Sequence, residues 1–102
     1  MQRSNSRYRR MLKRLPAEFA EILPGLSADY RVLHSVSQYM GWSGEIEIGF
    51  RQFTLISEGG RVCLSERNMP SSTWPGVGSP GSLLPQEVAS VLNQIVAGGG
   101  AP

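Results

Sequence analysis

The sequence predicts a single α+β domain: two or three N-terminal helices, a small antiparallel β-sheet or hairpin, and a C-terminal helix. Three observations lead there. Apolar residues recur at helical spacing in the first forty residues and again after residue 85. Between them, GEIEIGFRQFTLIS and RVCLS alternate apolar and polar positions as strands do. Finally, 102 residues with 40% hydrophobic content suffice for one modest core and no more. The domain is expected to span 1–97, with 98–102 as a disordered tail.

The first element is SRYRRMLKRL. Tyr8, Met11, Leu12 and Leu15 fall at i, i+3, i+4 and i+7, which makes one apolar stripe. Arg3, Arg7, Arg10 and Arg14 repeat at the same spacing on another face, flanked by Arg9 and Lys13. Ser4 or Asn5 is the expected N-cap. Like charges at these spacings repel by a few tenths of a kcal/mol per pair, so this helix needs its apolar face packed. Pro16 breaks it and suits the start of a second helix over 17–23, with Glu18 and Glu21 near a positive N-terminus. Phe19, Ile22, Leu23 and Leu26 continue the stripe until Pro24-Gly25 ends it.

Ser27 is a good cap for a further helix over 28–40. Val32, Leu33, Val36, Tyr39 and Met40 keep helical spacing and Gly41 is a natural stop. The alternation of Tyr30, Val32, His34 and Val36 would also fit a strand, but the caps favour the helix.

Ile46, Ile48 and Phe50 then alternate, and Phe53 and Leu55 fall on the opposite parity. A bulge or tight bend near Arg51-Gln52 accounts for the flip, with both phenylalanines buried. Glu58-Gly59-Gly60 signals a hairpin turn into RVCLS. Residues 66–84 form a loop rich in Pro, Gly and Ser, expected to be mobile and tethered by Trp74. The last helix starts at Pro85, with Val88, Val91, Leu92 and Ile95 as its stripe. A homodimer through this helix is one expectation.

Charge is lopsided. Six of the ten basic residues lie in the first fourteen positions, with no acid among them. From Leu15 onward four arginines face eight acids, so a +6 segment is joined to a −4 body. That asymmetry points to a phosphate-bearing partner, DNA or RNA, bound through counterion release. The order helix, helix, helix, hairpin resembles that of a winged helix. The resemblance implies that Arg31, His34, Ser35 and Gln38, on one face of the third helix, read base edges. Three glutamates, Glu45, Glu47 and Glu58, argue against a hairpin that approaches phosphate.

The competing reading is a protein-binding adaptor or inhibitor. It would use the apolar stripes and an aromatic patch of Tyr39, Trp42 and Trp74. Membrane-surface binding is a lesser alternative, because the basic helix has a short apolar face without Trp or Phe before Pro16. No apolar run approaches the roughly 18 residues of a membrane span, so stable insertion is not expected. Glu18 and Glu21 interrupt anything like a signal-peptide core, and one cysteine allows no internal disulfide; a cytoplasmic location is expected.

Catalysis is not expected. Cys63 and His34, the only cysteine and histidine, would need direct contact and a third orienting group to act as nucleophile and base. Cys63 lies in a strand and is expected to be buried or half-buried. The glutamates lack metal-ligand spacing, and neither a metal nor a cofactor is expected. GVGSPG at 76–81 matches G-x-G-x-x-G without the preceding strand that gives the motif meaning, and reads as a turn-rich loop.

Overall fold

A computed structural model of the chain describes residues 2–38, 40–67 and 82–98, with side chains from Ser6 onward. Helix α1 (Gln2–Lys13) leads into α2 (Ala17–Ile22) and a 3₁₀ turn (Leu23–Gly25). Four strands follow: β1 (Arg31–Gln38), β2 (Gly41–Ile48), β3 (Arg51–Glu58) and β4 (Arg61–Glu66). Helix α3 (Pro85–Gly98) is the last described element. The α+β class is as expected.

The strands form an antiparallel meander in the order β1-β2-β3-β4. One face packs against the helices and carries Trp42, Ile46 and Ile48 of β2, Phe53 and Leu55 of β3, and Val62 and Leu64 of β4, all buried. Phe19, Ile22, Leu23, Val32, Val88, Leu92 and Ile95 complete a single core cluster. Gly44 lies opposite Phe19, and a Cβ there would meet the ring at 2.5 Å. Only glycine lets Phe19 press onto the sheet and stack on Trp42, with ring centroids 4.9 Å apart.

The segment 28–40 is not a helix. Residues 31–38 are strand β1, whose register on β2 runs from Arg31↔Glu47 to Gln38↔Gly41 with an irregularity between Val32 and His34. Pairing with β2 satisfies the backbone and buries Val32, and this tertiary gain outweighs the local capping signal. With that helix gone, the expected order of helix, helix, helix, hairpin becomes two helices and a 3₁₀ turn followed by four strands.

The parity flip comes from the second of the two expected causes, a tight bend, which falls at residues 49–50 immediately before Arg51-Gln52, and not from a bulge. Gly49-Phe50 is a two-residue turn, with Gly49 at φ +65°, and Ile48 pairs with Arg51 across it. Phe53 is buried as expected, whereas Phe50 sits at the hairpin tip and is fully exposed. Gly59-Gly60 makes the next turn, both at positive φ. Cys63 is in β4 as expected, but it points to the open face and is exposed. Helix α1 begins at Gln2, upstream of the caps expected at Ser4 or Asn5.

The remaining contacts fix the helices. Trp42 Nε1–H and the Ser57 hydroxyl both donate to Glu18 Oε1, each at 3.0 Å. Asn93 of α3 accepts from the Ser27 amide and donates to the Gly25 carbonyl, pinning 25–27. Pro85 opens α3, and Glu87 accepts from the Leu84 amide at 2.8 Å, half of a capping box. Leu83 exchanges two backbone hydrogen bonds with Val62 at the edge of β4. Arg51 donates to both carboxylate oxygens of Glu66 at 2.7 and 2.8 Å and to the Ile95 carbonyl. The hydrogen bond to Glu66 raises the guanidinium pKa above its ordinary value; partial burial opposes this and the charge of Glu66 adds to it.

The stripe of α3 faces inward: Val88, Leu92 and Ile95 are in the core and are not available for a homodimer through that face. The expected loop 66–84 begins inside β4 at Glu66, and its central part, with Trp74 and GVGSPG, lies outside the described residues. So do Tyr39 and the segment after Gly98.

Candidate nucleic-acid interface

The cations of α1 are presented as the stripe predicts. Tyr8, Met11, Leu12 and Leu15 are partly buried against the core. The Tyr8 hydroxyl accepts a hydrogen bond from the Val32 amide at 2.9 Å, tying α1 to the outer edge of β1. Docking on that side leaves Arg7, Arg9, Arg10, Lys13 and Arg14 exposed. Two ion pairs occur among the described residues, His34–Glu45 and Arg51–Glu66, and neither involves α1. The backbone of Arg3 belongs to α1; its side chain is outside the described residues.

At 100° per residue, Arg7, Arg10 and Arg14 fall along one flank of the apolar stripe and Arg9 and Lys13 along the other. The first flank borders β1. Two adjoining hollows share Arg7 and Met11 there. One, about 350 Å³, is lined by Arg7, Arg10, Met11, Arg14 and Ser35. The other, about 230 Å³, is lined by Arg7, Tyr8, Met11, Arg31, Val32 and Leu33. Together they make a groove between α1 and β1 with no acid among the described lining residues.

Of the residues expected to read base edges, Arg31, His34 and Gln38 fall on the open face by register, opposite Glu47, Glu45 and Gly41, whereas Ser35, opposite Gly44, is on the other face. Arg31 also lines the groove at the start of β1 and Ser35 lines its other end. His34 is 3.1 Å from Glu45. Gln38 stands at the far end of β1, exposed and opposite Gly41. The groove's apolar floor of Tyr8, Met11 and Leu33 was not anticipated as a site. Tyr8 and Met11 read as packing residues, and Leu33 becomes legible only when 31–38 is a strand whose register slips after Val32.

Of the aromatic patch expected from Tyr39, Trp42 and Trp74, only Trp42 is among the described residues. Trp42 is buried on β2, stacked on Phe19, and contributes to the core. The open face is ordered by register into cross-strand rows: Arg31, Glu47, Gln52 and Arg67; His34, Glu45, Thr54 and Ser65; Val36, Ser43, Ile56 and Cys63. Val36 and Ile56 are exposed there. His34 and Cys63 are three strand spacings apart, roughly 14 Å at about 4.8 Å each, so they are not a nucleophile and base in contact. No cluster of three or more His, Cys, Asp or Glu able to hold a metal occurs among the described residues. No described helix is long and apolar enough to cross a membrane.

No protein-family model matches the chain, and no curated protein or solved structure is significantly similar to it.

Proposed function

We propose that this is a small, non-enzymatic, cytoplasmic nucleic-acid-binding protein of regulatory type, and that α1 is its contact element. The observation that carries the reading is a helix held through its apolar stripe with five exposed cations, none of them ion-paired among the described residues. Phosphate is the ligand such an array suits, because each cation that replaces a condensed counterion adds affinity through release. The guanidinium groups of Arg7, Arg10 and Arg14 add bidentate geometry that lysine lacks.

Salt titration tests this. Affinity for a nonspecific duplex should fall linearly on a log–log plot. Arg7→Gln, Arg10→Gln and Arg14→Gln should each make that slope shallower, by about 0.9 for every phosphate the variant no longer neutralises. A flat plot, or no binding of DNA or RNA at low salt, sinks the proposal.

A protein-binding role is the second reading, now supported by different residues. Val36 and Ile56 stand exposed in one cross-strand row of the open sheet face, and Phe50 is fully exposed at the hairpin tip. Ile56→Lys should abolish such binding and leave the affinity for nucleic acid high.

A further inference from the structure

We infer that the groove between α1 and β1 takes a single strand of nucleic acid, with its phosphates on the arginine rim and its bases against the apolar floor. The inference rests on the nucleic-acid reading above and narrows it to one site and one form of ligand.

Three features of the groove favour that occupant. First, its cations line a slot. Arg7, Arg10 and Arg14 line one wall, and Arg31 stands at the β1 end of the groove beside its cross-strand neighbour Glu47. A cleft lined by one sign of charge raises the local concentration of an oppositely charged ligand. Second, the floor between those cations is apolar: Tyr8, Met11 and Leu33. A duplex hides its base faces by stacking and offers this floor nothing. A single strand presents anionic phosphates and flat, unstacked bases together, and base stacking on protein side chains supplies much of the affinity of single-strand binders. Third, the slot is short. From Arg7 to Arg14 the helix rises about 10 Å at 1.5 Å per residue, enough for a few nucleotides and too confined for a double helix.

An acidic peptide would satisfy the arginines but not the geometry. It would reach full pairing only by adding a strand along β1, and the Tyr8 hydroxyl already holds the Val32 amide on that edge. The convex side of α1, with Arg9 and Lys13, is the surface a duplex would meet instead.

The experiment compares two double substitutions of equal charge. Arg7→Gln with Arg14→Gln removes two of the three arginines of the groove wall, while Arg9→Gln with Lys13→Gln removes two cations from outside it. All four side chains are exposed, and circular dichroism verifies that both variants fold. Binding is measured at one moderate salt concentration to a homopyrimidine single strand of about ten nucleotides (a DNA and an RNA version), to a duplex of the same length, and to polyglutamate. The single strand should bind the full chain more tightly than the duplex or polyglutamate. The groove pair should weaken that binding about tenfold or more, and the control pair about threefold or less. Equal losses from both pairs, a duplex bound as tightly as the strand, or polyglutamate bound as tightly as the strand would each overturn the groove assignment. The first two leave general nucleic-acid binding intact. Failure of every nucleic acid to bind would remove the underlying reading itself.

Discussion

Glu18 shows how one side chain can set a contact surface. Its Oε1 accepts from the Trp42 indole and the Ser57 hydroxyl, and Trp42 and Ser57 pair across β2 and β3, so α2 is fixed on the sheet by a carboxylate held at two points. Behind it, the ring of Phe19 fills the space left by Gly44. Gly44→Ala should therefore be costly for its size. The new methyl would lie 2.5 Å from Phe19, whose ring cannot retreat without breaking its stack on Trp42. Overpacking of this kind costs about 1–3 kcal/mol, and the expected signature is a lower urea midpoint with a perturbed near-ultraviolet tryptophan signal. An unchanged midpoint would mean that Phe19 has room to move. The Arg51–Glu66 pair is the second residue-scale test. Glu66 is buried beside Arg51, so Glu66→Leu strands a partly buried cation and should cost about 3 kcal/mol. Adding Arg51→Met should restore much of the loss, because the desolvation burden disappears with the charge. A double variant no more stable than the single one would show that packing around Glu66, and not pairing, is what matters.

At the scale of elements, legibility followed how local each signal is. Helix α3 was readable because Pro85 at its first position and Glu87 in its first turn are local instructions, and its stripe has one phase. The β3–β4 hairpin was readable from two glycines whose positive φ few other residues tolerate. Strand β1 was not. Ser27 and Gly41 mimic helix punctuation, and Val32, Leu33 and Val36 satisfy a 3.6-residue period as well as a two-residue one. What decides is the pairing with β2, whose partners at the start of β1 lie sixteen and fourteen residues away, Arg31↔Glu47 and Val32↔Ile46. The turn at Gly49-Phe50 was hidden because an aromatic tip residue looks like core. The groove depends on both α1 and β1, so it was invisible while β1 was read as a helix, although its arginines were evident from the charge pattern. One hydrogen bond joins the two elements. Tyr8→Phe keeps the ring and removes the acceptor of the Val32 amide. The expected loss is about 1 kcal/mol, and the Val32 amide should exchange faster with solvent. Unaltered exchange at Val32 would show that the hydroxyl does not tie α1 to the sheet.

Across the whole molecule, stability is distributed unevenly. One core cluster draws buried residues from α2, the 3₁₀ turn, all four strands and α3, whereas α1 contributes only partly buried side chains at its margin. The body should therefore unfold as one cooperative unit, and α1 should undock at a lower free energy than global unfolding. Two truncations separate these levels. Leu92 is fully buried, so Leu92→Ala should cost about 2–5 kcal/mol and lower the global midpoint. Leu12 is only partly buried, so Leu12→Ala should shift that midpoint much less while sharply reducing amide protection within α1. Native-state hydrogen exchange reads both quantities. The same measurement connects stability to the proposed function. A polyanion seated between α1 and β1 binds only the docked helix, so saturating it should raise α1 protection by the free energy of ligation, while the core strands stay at the global limit, which rises with it. If Leu12→Ala lowers protection equally in α1 and β3, α1 is part of the cooperative body. Its cations are then carried on a rigid platform, not on a helix that ligand holds in place.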